Sequence, residues 1–477
     1  MLDSFEGTHY SYFISGGSIF FSIYFQTVTY NREERAAMIK KLMMLMVLVI
    51  LAVFAADQVF AKPVEIQWWH AMRGARGETL NKIVDAFNAS QSDYVVVATN
   101  KGNYDETVNA GVAAYRAKKH PHILQSFEVG TLTMMLSGAI YPVYKLMADQ
   151  GYKIDWSSYL QPVLSYYVDE NENLLSMPFN SSTPVMYYNL DLFKKAGIDL
   201  PSKTEPLTWD QMGDITAKLV ASGVKKGMVT SWQSWTQVEN YSAVHDLAFA
   251  SKANGYEGLD CELQINNPQV VNHLTRLKSW MADNRFSYEG QKYQGPQAAF
   301  VGGDAAILME SISGIGNVKK NAKFAWDLAP LPVEASMKEP QNSIIGGASL
   351  WVMKGHPKKD YKGVAAFMDF LAQNNMQELW HMETGYFPIT ITAYEDLKKK
   401  GYFEENPYQE VGILQMTRRK PTKNSRGLRL GYFVQIRNII NEEMELLWNG
   451  SKTPQQAMDD AVSRSNDKLR EFEKTYK

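Results

Sequence analysis

Three short stretches of this 477-residue chain put residue types with chemical potential at close spacing. Gly346-Gly347 interrupts two β-branched runs between Gln341 and Met353, which reads as strand, interruption, strand. Two missing Cβ atoms at one place let a bound group approach the backbone and leave N–H donors facing it, an arrangement suited to an anion. A bulge or bend in a buried strand accounts for the same pair without any ligand. His120-Pro121-His122 sets two imidazoles side by side, but no acidic or cysteine partner nearby completes a metal pattern, so no metal is expected. Gly450-Ser451-Lys452-Thr453 has a faint likeness to a phosphate loop. It lacks the Gly-x-x-x-x-Gly-Lys spacing and reads as a helix stop followed by a helix start. No Gly-x-Ser-x-Gly nucleophile elbow is present, and no catalytic residue is singled out.

The elements that must carry such residues alternate. Val64 to Trp69 has the pattern of a strand, Glu78 to Asn88 has apolar positions at helical spacing, and Tyr94 to Ala98 is a second strand. A strand, helix and strand joined at this length form the βαβ unit of a mostly parallel sheet. A helix over Thr107 to Ala117 and a strand over His122 to Ser126 continue the rhythm. Leu175 to Asn189 breaks it with a polar, proline-flanked patch and then an apolar strand, the composition of a crossover between lobes. Asp191 to Ile198 is a short helix stopped by glycine, and Thr208-Trp209-Asp210-Gln211 is a capping box. A second α/β alternation fills about residues 205–340, Pro357 to Met376 reads as helix, and the last helix opens at Thr453-Pro454-Gln455-Gln456.

Near the N-terminus, Lys40-Lys41 precedes an apolar run from Leu42 to Ala56 that ends at Val59-Phe60-Ala61, the pattern of a signal peptide cleaved after Ala61. The competing reading is an uncleaved anchor, although the run is short for a membrane span. Residues 1–37 come before Met38, where such a segment should start. Arg32-Glu33-Glu34-Arg35 has the purine-rich codons of a ribosome-binding site, so residues 1–37 read as a mis-set upstream start and 38–61 as the signal peptide. The alternative is a genuine aromatic extension over Tyr10 to Tyr30. Cys261 is the sole cysteine, so there is no intramolecular disulfide and no cysteine at the cleavage site to take a lipid anchor. The mature chain is therefore expected free in the periplasm. With 45% apolar residues it can bury more than one core. Its 49 basic residues against 51 acidic ones argue against a nucleic-acid partner. Eleven Trp and 26 Tyr are a weak hint of a carbohydrate or polyol site.

An ordered set of motifs runs through the mature chain. They are Trp69-His70, Lys101-Gly102-Asn103-Tyr104, Glu128-Val129-Gly130-Thr131, Asn180-Ser181-Ser182-Thr183-Pro184, Trp232-Gln233-Ser234-Trp235, Ile345-Gly346-Gly347-Ala348-Ser349, Thr384-Gly385-Tyr386-Phe387-Pro388, Gly427 to Gly431, and Gln435-Ile436-Arg437. Together they resemble the sn-glycerol-3-phosphate-binding periplasmic proteins of ABC importers, in extracellular solute-binding protein family 1, over residues 62–477. The resemblance implies an α/β, two-lobed periplasmic-binding-protein fold with three interlobe crossovers and a ligand cleft between the lobes. Lobe 1 is then expected from residues 62–184 with 346–388, and lobe 2 from 185–345 with 389–477. It further implies Tyr104, Glu128, Ser182, Ser311, Gly347, Tyr386 and Arg437 as ligand contacts, with Trp232 and Trp235 as aromatic walls. Met309-Glu310-Ser311-Ile312-Ser313 departs from the small, serine-rich run expected there, and Arg73 stands where an acidic residue is expected.

On chemistry, Arg437 can make two parallel hydrogen bonds to phosphate oxygens and is the one strong cation of the set, so it is the expected phosphate anchor. Its bland alternative is a surface helix charge. Tyr104, Tyr386 and Ser311 offer O–H donors and Gly347 an N–H, suited to the acceptor oxygens of a phosphate. Glu128 and Ser182 suit glycerol hydroxyls, with a solvated helix-start charge as the alternative for Glu128. Trp232 and Trp235, three apart, are elsewhere more often packing residues. The implied function is a monomeric, cofactor-free receptor, not an enzyme, that captures sn-glycerol 3-phosphate and delivers it to an ABC permease with its ATPase. Glycerophosphodiesters such as glycerophosphocholine are further ligands. An oligosaccharide receptor of the same fold is the near alternative, discriminated by whether Arg437 and Gly347 converge on one anion-sized pocket. An extracytoplasmic hydrolase would need a metal cluster or a carboxylate pair across the cleft.

Overall fold

The computed structural model describes residues 32–59 and 62–477 and divides them into two compact units, one ending at Lys62 and one spanning Pro63–Lys477. The first contains a 28-residue helix, Arg32–Val59. Among the described residues no helix is long and apolar enough to cross a membrane. The expected cleavage point at Phe60-Ala61 and residues 1–31 lie outside the described residues.

In the larger unit, β1 (Val64–His70), β2 (Tyr94–Asn100) and β3 (Ile123–Phe127) are joined by helices Ala75–Ser90 and Tyr104–Arg116, and β1 pairs in parallel with both of the others. This is the βαβ arrangement the sequence period called for. Asn103 caps the second helix, accepting from the Glu106 N–H while the Glu106 carboxylate accepts from the Asn103 N–H. The chain then places β4 (Met177–Ser182) in the first sheet and β5 (Pro184–Asn189) in a second, with only Thr183 between them. Strands β6 (Lys226–Thr230), β7 (Phe286–Ser287), β8 (Ala305–Ser311) and β9 (Trp326–Ala329) complete the second sheet, and β10 (Gly346–Val352) returns to the first. The strand orders are β2-β1-β3-β10-β4 and β7-β6-β8-β5-β9.

Two expectations need adjustment. Gln341–Ile345 is not a strand before the glycine pair; it runs between the sheets and finds its partners elsewhere. The Gln341 N–H donates to Val244 O, the Ile344 N–H donates to Asn240 Oδ1, and Thr183 Oγ1 donates to Ile344 O. The helix read over Pro357 to Met376 is two, Lys358–Ala372 and Asn374–Thr384, broken at extended Gln373. Beyond them, helix Ile391–Lys399 packs on Asn374–Thr384, and Lys400 pairs with Glu378 at 2.6 Å. The chain is thus still seated on the first lobe past residue 388. The final helix, Pro454–Tyr476, has the expected threonine cap and box.

Two buried apolar clusters underlie the helix-clad sheets, and each draws on both, with Tyr187 and Leu308 of the second sheet in the first cluster and Phe127 and Ala348 of the first sheet in the second. Trp68, Phe87, Phe367 and Trp380 fill one, and Tyr188, Trp209, Phe286 and Leu447 are part of the other. At about 1.5 to 3 kcal/mol per large apolar side chain, these cores hold two bodies joined by few strands. The joining segments are themselves tied: Thr183 Oγ1 also donates to Ser343 Oγ at 2.7 Å, and the Phe387 N–H donates to Ser181 O at 2.9 Å.

Candidate functional site

The cleft lies where the parallel strands of both sheets end. Glu128 follows β3, Ser182 ends β4, Ser311 ends β8, and Trp232 follows β6 by two residues. Carboxyl ends of parallel strands are where open α/β sheets put ligands, because loops there are free to carry polar groups. All nine residues expected from the sequence line one cavity of about 720 Å³, counting its mouth. Arg437 and Gly347 therefore share a pocket.

The glycine pair is required by close packing. Gly347 has φ +97°, and a Cβ there would collide with the Asn180 carbonyl oxygen. A Cβ on Gly346 would strike the Trp235 ring, whose Nε1 donates to Ile345 O at 3.4 Å. A register shift between Ala348 and Ser349 adds the bulge that the same stretch allowed for.

At one end of the cavity stands Arg437, on helix Phe433–Trp448. Its Nη1 lies 2.6 Å from Glu128 Oε1, while Nε and Nη2 donate to Glu239 Oε1 and Oε2 at 2.8 and 2.6 Å. Expected from sequence to face a phosphate, this guanidinium, the one strong cation of the nine, here has two carboxylates against it. Its planar fork is matched to Glu239, and with both carboxyls ionised the trio carries one net negative charge. Burial opposes the Arg437 charge, but Glu128 and Glu239 outweigh it and hold the guanidinium above its ordinary range. Burial raises the Glu128 carboxyl, Arg437 draws it back, and Glu239 adds to the rise, leaving it above its ordinary value. Glu239 closes a single π-helical turn, Trp235–Glu239, an irregularity often found at functional sites.

The same lining is rich in neutral donors. Tyr104, the first residue of its helix, stacks on Phe127 with centroids 5.3 Å apart and accepts from Asn180 Nδ2 at 2.8 Å. Its hydroxyl is 3.4 Å from that of Tyr386, which follows left-handed Gly385. Ser311 Oγ donates to Ser182 Oγ at 3.0 Å and sits 2.8 Å from Ser313 Oγ. Trp232 and Trp235 do not share a helix face, since Trp232 has φ +50° and precedes the π turn. Trp232 faces Tyr293 at 5.4 Å and donates from Nε1 to Glu310 Oε1 at 3.0 Å. Glu310, the residue that broke the expected small run, is buried, and burial pushes its carboxyl up to about 7.

Sequence reasoning missed Arg76, Glu239 and Glu310. Arg76 lines the same cavity and its Nη1 donates to the Tyr386 hydroxyl at 3.4 Å. Its one local signal is position: it stands in the first turn of helix Ala75–Ser90, where a cation runs against the helix dipole. Lys292 also lines the cavity, 3.1 Å from Asp105. Away from the cleft, Asp360 supplies the acidic neighbour that His120-Pro121-His122 lacked nearby, 3.1 Å from His122 Nε2 and close to His356. The Gln67 N–H donates to His122 Nδ1, which leaves the ring proton on the nitrogen facing Asp360, so that nitrogen is a donor and not a free ligand.

Two α/β lobes tied by a few strands, with buried polar residues from both facing one cleft, define a solute receptor. The chain matches the family of bacterial extracellular solute-binding proteins over residues 82–407 and belongs to it. It is 46% identical over 414 residues to the sn-glycerol-3-phosphate-binding periplasmic protein UgpB of Salmonella typhimurium, covering 86% of this chain and 94% of the relative. The UgpB of Escherichia coli O1:K1 matches to the same degree. Among solved structures, UgpB from Mycobacterium tuberculosis in complex with glycerophosphocholine has a TM-score of 0.72 at 18% identity, over 86% of this chain and 99% of that one. The GacH receptor of Streptomyces glaucescens, solved unliganded and with acarbose, has a TM-score of 0.71 at 16% identity, over 86% and 100%. These two share the two-lobed fold.

Proposed function

We propose that this chain is the solute-binding component of an ABC importer, capturing sn-glycerol 3-phosphate in the periplasm and delivering it to a membrane permease driven by a separate ATPase. The observation that carries the reading is the convergence on one cleft of all nine expected residues, in a chain whose curated relatives are named for that ligand. Glu128, Ser182 and the N–H groups that Arg437 keeps beyond its carboxylates take the glycerol hydroxyls, since a carboxylate accepts two polyol O–H bonds at once. Tyr104, Tyr386, Ser311 and the Gly347 N–H face the phosphate, and Trp232 and Trp235 wall the carbon chain. The donor-rich end also accepts a phosphodiester such as glycerophosphocholine, with its extra ester group pointing outward. The receptor works as a monomer, does no chemistry on its ligand, and reaches the periplasm through its N-terminal signal segment.

Calorimetry of the mature chain against glycerol 3-phosphate, glycerophosphocholine, maltose and inorganic phosphate tests this. Saturable heat with the first two and none with maltose is expected. Binding of maltose without binding of glycerol 3-phosphate would make the protein an oligosaccharide receptor instead.

A further inference from the structure

We infer that Arg76 carries the positive charge that meets the ligand's phosphate, and that Arg437 instead positions Glu128 for the polyol. This rests on the phosphate-ester reading of the cleft. The first ground is charge accounting. Three cations line the cavity, and two are committed: Arg437 to Glu128 and Glu239, and Lys292 to Asp105. Among the described residues no carboxylate oxygen comes within 4.0 Å of the Arg76 guanidinium. The second ground is position. The guanidinium lies 5.9 Å from the ring centroid of Tyr386 and 5.8 Å from that of Tyr293, among the phenols of the cavity. The Arg437 guanidinium, by contrast, already has Glu128 and Glu239 each at 2.6 Å.

The third ground is the donor count. Arg76 Nη1 gives one hydrogen to Tyr386, and Asn180 gives another to Tyr104. Two hydroxyl hydrogens remain between the tyrosines, and one of them suffices for their 3.4 Å contact. The other phenolic hydrogen has the Ser313 hydroxyl as a neighbour, while the remaining Arg76 N–H groups have no charged acceptor within 4.0 Å among the described residues. A phosphate supplies acceptor oxygens and charge together, whereas a sugar hydroxyl supplies one weaker acceptor and a further donor. The ligand is thus polarised in the cleft, hydroxyls toward Glu128 and phosphate toward Arg76.

Arg76→Met keeps the stem and removes the charge; Arg76→Lys keeps the charge without the fork. Calorimetry with glycerol 3-phosphate and glycerophosphocholine, each at low and high salt, should show Arg76→Met weaker by about 10-fold or more for glycerol 3-phosphate, the size of a lost charge-assisted contact. The loss should be smaller for the singly charged diester, and Arg76→Lys should recover part of it. The salt dependence of the parent should flatten in Arg76→Met, a change that a merely structural role would not produce. If the parent binds glycerol 3-phosphate and Arg76→Met binds it within about threefold, below even a weak charge-assisted bond, Arg76 is not the anchor while the receptor reading survives. A parent that binds no phosphate ester overturns both. Buried Glu310 feels the Arg76 charge without an ion-pair contact, so Arg76→Met should melt below the parent at pH 8 while Arg76→Lys melts near it; if Arg76→Met does not fold, Arg76→Lys at the two salt concentrations decides.

Discussion

Arg437→Ala would leave Glu128 and Glu239 facing each other with no cation between them. The three side chains are 15%, 5% and 0% exposed, so this is a buried pair with little solvent screening. Removing one partner of such a pair costs about 3 to 5 kcal/mol, because the charge left behind has lost its water and its counter-ion. The pH dependence follows from what remains acting on Glu128. Burial and Glu239 both push its carboxyl up, and the attraction that opposed them is gone. A carboxyl whose folded value lies above its unfolded 4.5 makes the folded state less stable as pH rises through that interval. The deficit of the variant should be full at pH 8 and should shrink toward pH 5 as Glu128 takes up a proton, by about 1.4 kcal/mol for each unit of added shift. Urea unfolding of ligand-free parent and variant at pH 5, 6, 7 and 8 measures this difference directly. Arg437→Ala combined with Glu239→Gln should regain part of the loss at pH 8, since one buried charge remains in place of two. A deficit below about 1 kcal/mol at pH 8, the range of an exposed pair, or one unchanged at pH 5, would refute the account of Arg437 as the clamp of a buried carboxylate pair.

Glu310→Gln should stabilise the ligand-free protein at pH 8. Burial raises this carboxyl to about 7 against 4.5 unfolded, so folding stability falls as pH rises from 4.5 to 7, by roughly 3 kcal/mol, and the gain should shrink to about a quarter of that by pH 5. Melting curves at the two pH values check it, and an equal gain at both would count against the buried-acid reading. Gly347→Ala, forced to φ +97° and into the Asn180 carbonyl, should cost about 2 kcal/mol or more and weaken glycerol 3-phosphate, measured by melting and calorimetry. Wild-type affinity in that variant would mean that the strand start can shift without disturbing the site. Ligand should also favour lobe closure, because a polyol held by Glu128 and Arg437 adds contacts to the 2.6 Å pair that the closed cleft already has. Solution scattering should show a smaller radius of gyration with glycerol 3-phosphate, and an unchanged one at saturation would argue against a hinged cleft.

The local architecture was legible in the amino-acid sequence because it is set by interactions a few residues long. Alternation marked Val64 to Trp69, the box at Thr208 and the threonine-proline start at Thr453 marked helix beginnings, and Ser182-Thr183-Pro184 marked the passage between sheets. The motif order was enough to name nine residues that meet in one cavity. What those residues do to each other could not be read, because it depends on distances between positions far apart in the chain. Glu239 is 198 residues from Arg437, and Tyr386 is 310 from Arg76. A guanidinium beside two carboxylates and one beside two phenols look alike in sequence, yet the first is spent on its neighbours and the second is not. The same limit hid Asp360 from His122 and let Gln341–Ile345, apolar enough for a strand, serve as a connector whose polar groups are met by Asn240 and Thr183. Composition and period determined which segments fold, and the motif resemblance which residues line the cleft; only the packing of the lobes decided which cation in it, among the described residues, has no carboxylate against it, since pairing depends on distance and burial, quantities that exist only once the chain is folded.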